Sequence, residues 1–295
     1  EVLEARLAAC DICPLKCGID RLKDERGFCR SGYRPAISSC CAHHGEEPAL
    51  SGVRGSGTIF LGNCNMRCVY CQNFQISQDP DTQKLNEADY HRLAQKMLYL
   101  QNDLRCHNIN LVSPTHYVPQ IVRALVEAAA EGLHLPLVYN TGGYDSPDTI
   151  RMLEGIVDIY LPDIRYSDDS IGLKYSGVPD YVKNNRQAIK EMYRQVGDLK
   201  VDENDIAYRG MIVRHLILPE GLAGSDVPMG LMPLGTGNLM ARNLELPLTS
   251  DRQMITIALM FSPEAVVITR YLIVNGLNII DSFWVVLNMT PDSEY

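Results

Sequence analysis

The sequence predicts an α/β fold built on a mainly parallel sheet. Short β-rich apolar runs alternate with amphipathic helical stretches through the middle of the chain, the pattern of strands with crossover helices. Polar and cysteine residues recur directly after those runs, where parallel sheets collect their functional groups. Apolar residues make up 46% of the 295 and charged residues 21%, enough for an ordinary globular core.

The elements follow in order. Residues 58–62 read as a short strand that ends at Cys64, and Tyr90, Leu93, Met97 and Leu100 fall on one helical face. Residues 109–112 form the next strand. Pro119 suits the first turn of a helix carrying Ile121, Leu125 and Ala128. Strands at 137–139 and 157–161 follow, then a helix marked by Ile189, Met192 and Val196, and a β-rich run over 211–218. Ser113, Thr115, His116, Asn140, Asp163, and Arg214 with His215 lie at the expected strand ends. If the last strand is regular, Arg214 and His215 point to opposite faces.

Composition divides the chain into a Cys-rich segment over 1–55, the alternating region over 56–225 and a cysteine-free tail over 226–295. The formal net charge of −9 argues against nucleic-acid or anionic-membrane partners, which call for basic clusters. The longest apolar stretch, from Met254, is interrupted by Pro263, Glu264, Arg270, Asn275 and Asp281 and is not expected to span a bilayer. No basic segment followed by an apolar run opens the chain, so no export signal is expected. The lack of an initiator Met leaves room for a few residues upstream. Nine of the ten cysteines, all but Cys106, precede residue 72. Tight clusters in such a chain point to metal rather than disulfides and to a reducing, cytoplasmic setting.

Cys64, Cys68 and Cys71 stand at x3 and x2 spacing on a loop just past a strand. Three thiolates on one loop suit three iron corners of a cuboidal cluster. No fourth ligand follows closely, which leaves one iron open and argues against a closed zinc site. The alternative is a three-Cys zinc knuckle completed by a distant His. Cys10, Cys13, Cys17 and Cys29 form a second set, able to hold either zinc or another iron–sulfur cluster, with Cys40, Cys41, His43 and His44 as alternates. Cys106 reads as an inert buried thiol.

The Cys64–Cys68–Cys71 spacing resembles the signature of radical S-adenosylmethionine enzymes, and Tyr70 fits the aromatic residue found before their third cysteine. Over about 10–224 the chain is similar to the group related to pyruvate formate-lyase activating enzymes. The matching segments are Gly45-Glu-Glu-Pro48, Gly55-Ser-Gly-Thr-Ile59, the loop through Gln72 and Asn73, and Ser113-Pro-Thr-His-Tyr-Val-Pro119. Further matches are Tyr139-Asn-Thr-Gly-Gly-Tyr144, Asp158-Ile-Tyr-Leu-Pro-Asp163 and Val213-Arg-His-Leu-Ile-Leu-Pro219.

The resemblance implies a partial (β/α)6 TIM-like barrel with a [4Fe–4S] cluster at its mouth. The open iron would take S-adenosylmethionine, and reductive cleavage would give a 5′-deoxyadenosyl radical that abstracts hydrogen. In activating enzymes the hydrogen comes from a backbone glycine of a glycyl radical enzyme, and a flavodoxin- or ferredoxin-type protein supplies the electron. By position, Tyr70, Thr115, His116, Asn140 and Arg214 become candidate cofactor contacts. The 113–116 segment lacks the glycines that grip the methionine amine in related proteins, so Thr115 or His116 is the candidate instead. Asn140 replaces an acid common at that strand end. Arg214 falls where a basic residue meets the ribose or carboxylate, for which a guanidinium fork is suited.

After Gly224 the likeness ends. Residues about 228–260 resemble a fragment of diacylglycerol-kinase-like lipid kinases, with Gly235, Thr236, Gly237 and Asn238 in the nucleotide-loop position, but the upstream Gly-Gly-Asp-Gly-Thr loop is missing. The expectation is a foreign tail that leaves the Arg214 strand as an edge, unless 265–273 or 283–287 pairs there. Three functions compete with the activating type: radical modification of a small molecule or peptide, metal binding without turnover, and lipid-kinase activity, which half a site does not support.

Overall fold

The computed structural model describes residues 2–216 and, beyond them, the stretches 255–258, 274–275 and 278–279. Its centre is a sheet in the order β1-β2-β3-β4-β5-β7-β6, with β8 pairing β5 and β9 pairing β8. The strands are β1 (Ile37–His43), β2 (Ser56–Leu61), β3 (Ile109–Val112), β4 (Leu137–Thr141), β5 (Ile159–Ile164), β6 (Lys200–Val201), β7 (Ala207–Met211), β8 (Val213–Leu216) and β9 (Ile255–Ala258). From β2 to β5 every pairing is parallel, as are those of β5 with β7 and β8. The α/β, parallel-rich expectation is met.

Strand alternation gives the sheet two buried faces. Ile59, Leu61, Ile109, Leu111, Leu137, Tyr139 and Tyr160 join one cluster with Leu93, Met97 and Leu100 of the helix Tyr90–Asn102 and Ile121, Ala124 and Ala128 of the helix Val118–Ala130. The first helix starts where Asp89 accepts from the Arg92 amide at 2.8 Å, a cap worth about 1 kcal/mol; the second has proline in its first turn. Met192 and Val196 of the helix Tyr181–Val196 complete that layer.

On the other face Val138, Ile159, Leu161, Ala207 and Ile212 pack on Ala49 and Leu50. Those two belong to the single turn Pro48–Ser51, in the connection from β1 to β2. Asn108 ties it down by donating to the Leu50 carbonyl at 2.8 Å and accepting from Ser56 Oγ at 2.7 Å. The segment between the first two strands is thus laid across the sheet.

Some expectations shift. The run at 211–218 is not one strand: β7 ends at Met211 and β8 begins at Val213, and residues 217–218 lie outside the described residues. The strand placed at 157–161 begins at Ile159 and runs to Ile164, carrying Asp163 inside it. The Cys-rich segment contains a strand that periodicity did not reveal, β1, antiparallel to β2. The edge beside Arg214 is also paired: Ile255–Ala258 runs parallel to β8, with Arg214 opposite Thr256. Ile and Thr are β-branched and fit a pleated surface. The two tail segments named above, 265–273 and 283–287, lie outside the described residues. Among the described residues no helix is long and apolar enough to cross a membrane.

Candidate functional site

The cysteine loop leaves β2 through Asn63, whose φ of 64° reverses the chain. The Asn63 amide donates to the Ile76 carbonyl at 2.8 Å and Asn65 Nδ2 to the Tyr144 carbonyl at 2.7 Å. Arg67 N–H donates to the Ser176 carbonyl and Val69 N–H to that of Tyr175, at 2.8 and 2.9 Å. The end of the helix Asp169–Ser176 therefore straps the middle of the loop, and Gln78 Nε2 holds the Cys68 carbonyl at 2.9 Å.

Each thiol has a defined neighbour. Ser176 Oγ lies 3.0 Å from Cys68 Sγ, and Arg165 Nη1 donates to the same sulfur at 3.0 Å. Ser77 Oγ lies 3.2 Å from Cys71 Sγ. Arg165 is aimed by its bond to Asp163, 3.1 Å from Nε to Oδ2. Burial pushes the Cys64 thiol up to about 12, with Cys68 and Cys71 adding to the rise; the three sulfurs share one local field. Among the described residues no three His, Cys, Asp or Glu side chains converge closely enough to hold a single metal ion.

Tyrosines wall the loop. Tyr70, Tyr144, Tyr166 and Tyr181 belong to one cluster with Met66, Cys64, Cys68 and Cys71. Tyr70 and Tyr166 hydroxyls bond to one another, and Ser176 Oγ lies within 3.5 Å of Tyr70 Oη. Tyr181 Oη donates to the carbonyls of Gly142 and Asp163 at 3.1 and 3.2 Å, and Asn185 Nδ2 to those of Gly143 and Asp163 at 2.9 Å. A Cβ on Gly143 would stand 2.1 Å from the Asp163 carbonyl oxygen at a φ of 78°. Only glycine fits there, which accounts for Gly143 after β4.

The other candidates divide into two groups. Asn140 and Arg214 come together: Arg214 Nη1 donates to Asn140 Oδ1 at 3.2 Å. The same guanidinium donates through Nε to Glu47 Oε1 at 2.7 Å and pairs with Glu46. Arg214 stands opposite Asp163 in register. A polar face of three acids (Glu46, Glu47 and Asp163), one arginine and one amide thus gathers at the ends of β4, β5 and β8. Thr115 and His116 are placed elsewhere. Thr115 Oγ1 donates to Asp145 Oδ1 at 2.7 Å, and Asp145 also accepts from Thr141 and Tyr139 at 2.7 and 2.9 Å. Burial pushes the Asp145 carboxyl up against those three donors. His116 is 1% exposed, with Nε2 3.0 Å from the Gly62 carbonyl oxygen. Burial pushes its pKa down to about 3, so it is neutral, and it braces the start of the cysteine loop. His215 pairs through its backbone with Ile164.

Of the alternates in the Cys-rich segment, Cys40 lies on β1 with Sγ 3.9 Å from the Lys96 carbonyl oxygen. A cleft of about 340 Å³ beside it, lined by Ile37, Cys40, Asn86, Arg92 and Lys96 among others, shares no residue with the cysteine loop. Sequence reasoning missed the neighbours of the sulfurs, Ser77, Arg165 and Ser176. It also gave no role to Glu46 and Glu47, although the adjacent acids before Pro48 were a usable signal.

No family model matches the chain. It is 30% identical over 220 residues to an uncharacterised protein of Methanocaldococcus jannaschii, covering 72% of this chain and 58% of that one. A second uncharacterised protein of that organism is 26% identical over 185 residues, 57% of this chain and 53% of the relative. The chain therefore spans little more than half the length of these two relatives. It is 24% identical over 208 residues to the pyruvate formate-lyase-activating enzyme of Staphylococcus epidermidis, 65% of this chain and 74% of that enzyme. The cysteine loop and the sheet that carries it thus lie in a chain distantly similar to an activating enzyme.

Proposed function

We propose that this chain is a radical S-adenosylmethionine enzyme of the activating type, with Cys64, Cys68 and Cys71 as ligands of a [4Fe–4S] cluster. The observation that carries this reading is the set of three thiols on one strapped loop after a parallel strand, with hydrogen-bond donors beside Cys68 and Cys71. A tetrahedral zinc ion, with Zn–S of about 2.3 Å, needs sulfurs about 3.8 Å apart. A cuboidal core separates its ligands more widely, and serine or arginine donors suit bound thiolates. The donors beside Cys68 and Cys71 suit the thiolates of such a cluster.

When bound, such a cluster supplies one electron to the sulfonium of S-adenosylmethionine and so yields a 5′-deoxyadenosyl radical. The chain's own residues do the rest. Arg165 and Ser176 stabilise charge on the Cys68 sulfur, and Ser77 does so at Cys71. Tyr70 and Tyr166 cover the buried Cys68 side of the loop. Arg214 holds Glu46 and Glu47 at the strand ends, where with Asn140 they offer acceptors for the ammonium group and ribose hydroxyls of the cofactor. In this reading β2–β5, β7 or β8, and β9 are strands of a partial (β/α)6 barrel. The electron donor is a flavodoxin- or ferredoxin-type protein, and the substrate is a backbone glycine of a partner.

The test is formation of 5′-deoxyadenosine by the anaerobically reconstituted chain with dithionite and S-adenosylmethionine. A fully iron-loaded chain that forms none under these conditions contradicts the reading.

A further inference from the structure

The segment from Cys10 to Cys29 is folded back on itself. Cys10 N–H donates to the Ile19 carbonyl and Gly18 N–H to the Cys10 carbonyl, both at 2.9 Å. This draws Cys17 over Cys10, with Cys17 Sγ 3.9 Å from the Cys10 carbonyl oxygen. Lys16 N–H closes the turn after Cys13 by donating to its carbonyl at 3.1 Å. Cys29 arrives from the other arm, in a turn closed by Arg30 N–H on the Gly27 carbonyl at 2.9 Å. A Cβ on Gly27 would stand 2.9 Å from Cys17 Sγ, so the two arms touch at that sulfur. Cys10, Cys13 and Cys29 are buried, Cys17 is exposed, and none of the four is in a disulfide.

A second feature points to a ligand there. Arg21 is 0% exposed. Its guanidinium donates to the Gly32 carbonyl at 2.7 and 3.0 Å and to the His116 carbonyl at 2.6 Å, with Cys10 Sγ at 4.0 Å. Among the described residues no carboxylate pairs with it. A buried cation without a counter-charge is strongly unfavourable. A metal bound by four thiolates carries net negative charge, which is the counter-charge Arg21 lacks.

We propose that Cys10, Cys13, Cys17 and Cys29 bind a second metal centre, a four-thiolate iron–sulfur cluster, with Arg21 as its buried counter-charge. Zinc, the other centre that four thiolates can hold, is separated from a cluster by metal analysis. The centre adjoins the cysteine loop. Arg67 donates to the Phe28 carbonyl beside Cys29 and, at 2.7 Å, to the Cys64 carbonyl. The inference does not depend on the activity proposed above.

The full chain reconstituted anaerobically with iron and sulfide is expected to hold about eight irons. With Cys64→Ala, Cys68→Ala and Cys71→Ala together it is expected to keep about four irons and four sulfides. Adding Cys17→Ser, the exposed ligand, should cut the remaining iron at least about twofold, since one corner loses its thiolate. A folded triple variant free of iron overturns the proposal. About one zinc per chain in a shell of four sulfurs, resistant to exchange for iron, also overturns it. Iron lost from the triple variant but retained by the wild type would leave the Cys64 set standing and remove only this one.

Discussion

Replacing Ser176 with alanine should make the cluster on Cys68 harder to reduce. Ser176 is fully buried, and its Oγ lies 3.0 Å from Cys68 Sγ. With the sulfur bound as thiolate, the hydroxyl is the donor, and such a bond contributes about 1.5–3 kcal/mol. It exists in both oxidation states, so only its strengthening on reduction moves the potential. Taking about a third of it gives about 0.5–1 kcal/mol. For a one-electron couple about 59 mV corresponds to about 1.4 kcal/mol, so the expected change is about 20–45 mV to more negative potential. Ser77→Ala, which removes the hydroxyl 3.2 Å from Cys71 Sγ, should shift the potential in the same direction. The assay is a mediated redox titration followed by electron paramagnetic resonance of the signal that responds to S-adenosylmethionine. A potential unchanged within about 10 mV, or moved positive, would refute the role given to these hydroxyls.

Two other outcomes follow from buried charge. Arg214→Gln leaves Glu46 and Glu47, with side chains 6% and 11% exposed, without their cation. Breaking such a pair costs about 3–5 kcal/mol, a fall in Tm of about 10 °C, and adding Glu47→Gln should recover part of it; a thermal melt that does not move counts against the network. His116 is held neutral by burial, its pKa pushed down to about 3 from about 6.5 in the unfolded chain. Its contribution to stability is therefore fully present above about pH 6.5 and is lost as pH falls toward about 3, by up to about 1.4 kcal/mol per pH unit. His116→Gln should flatten denaturant-midpoint curves between about pH 6 and 4, and an unaltered slope would contradict this.

The sheet was legible because its strands are short, apolar and separated by strongly periodic helices. Leu93, Met97 and Leu100 could face nothing but a core, and they do. The break at Ile212 was not legible, because 211–218 is uniformly β-prone and only the pairing of β7 and β8 with different parts of β5 separates them. β1 was hidden by its Ser-Ser-Cys-Cys sequence, which carries little alternation. The three thiols of the loop stood out by spacing alone. Their partners did not, since Arg165 and Ser176 are about a hundred positions away and lie in no motif. Thr115 and His116 sit at the strand end their spacing indicated, yet the structure turns both inward, onto Asp145 and Gly62. Strand-end position identifies a residue near the site, but its direction is set by the buried acceptor it finds. Arg214 and Asn140 did meet, and the acids that complete their network come from a connection some 170 residues earlier.

Cys64, Cys68 and Cys71, as the proposed cluster ligands, would leave one iron open to S-adenosylmethionine. The direct measurement is electron paramagnetic resonance of the dithionite-reduced, reconstituted chain before and after S-adenosylmethionine is added. A reduced-cluster signal whose g-values change on addition is expected, with that response abolished by Cys64→Ala, Cys68→Ala or Cys71→Ala singly. A spectrum indifferent to S-adenosylmethionine in the fully loaded chain, or a response that survives any of the three substitutions, would contradict the proposed ligation.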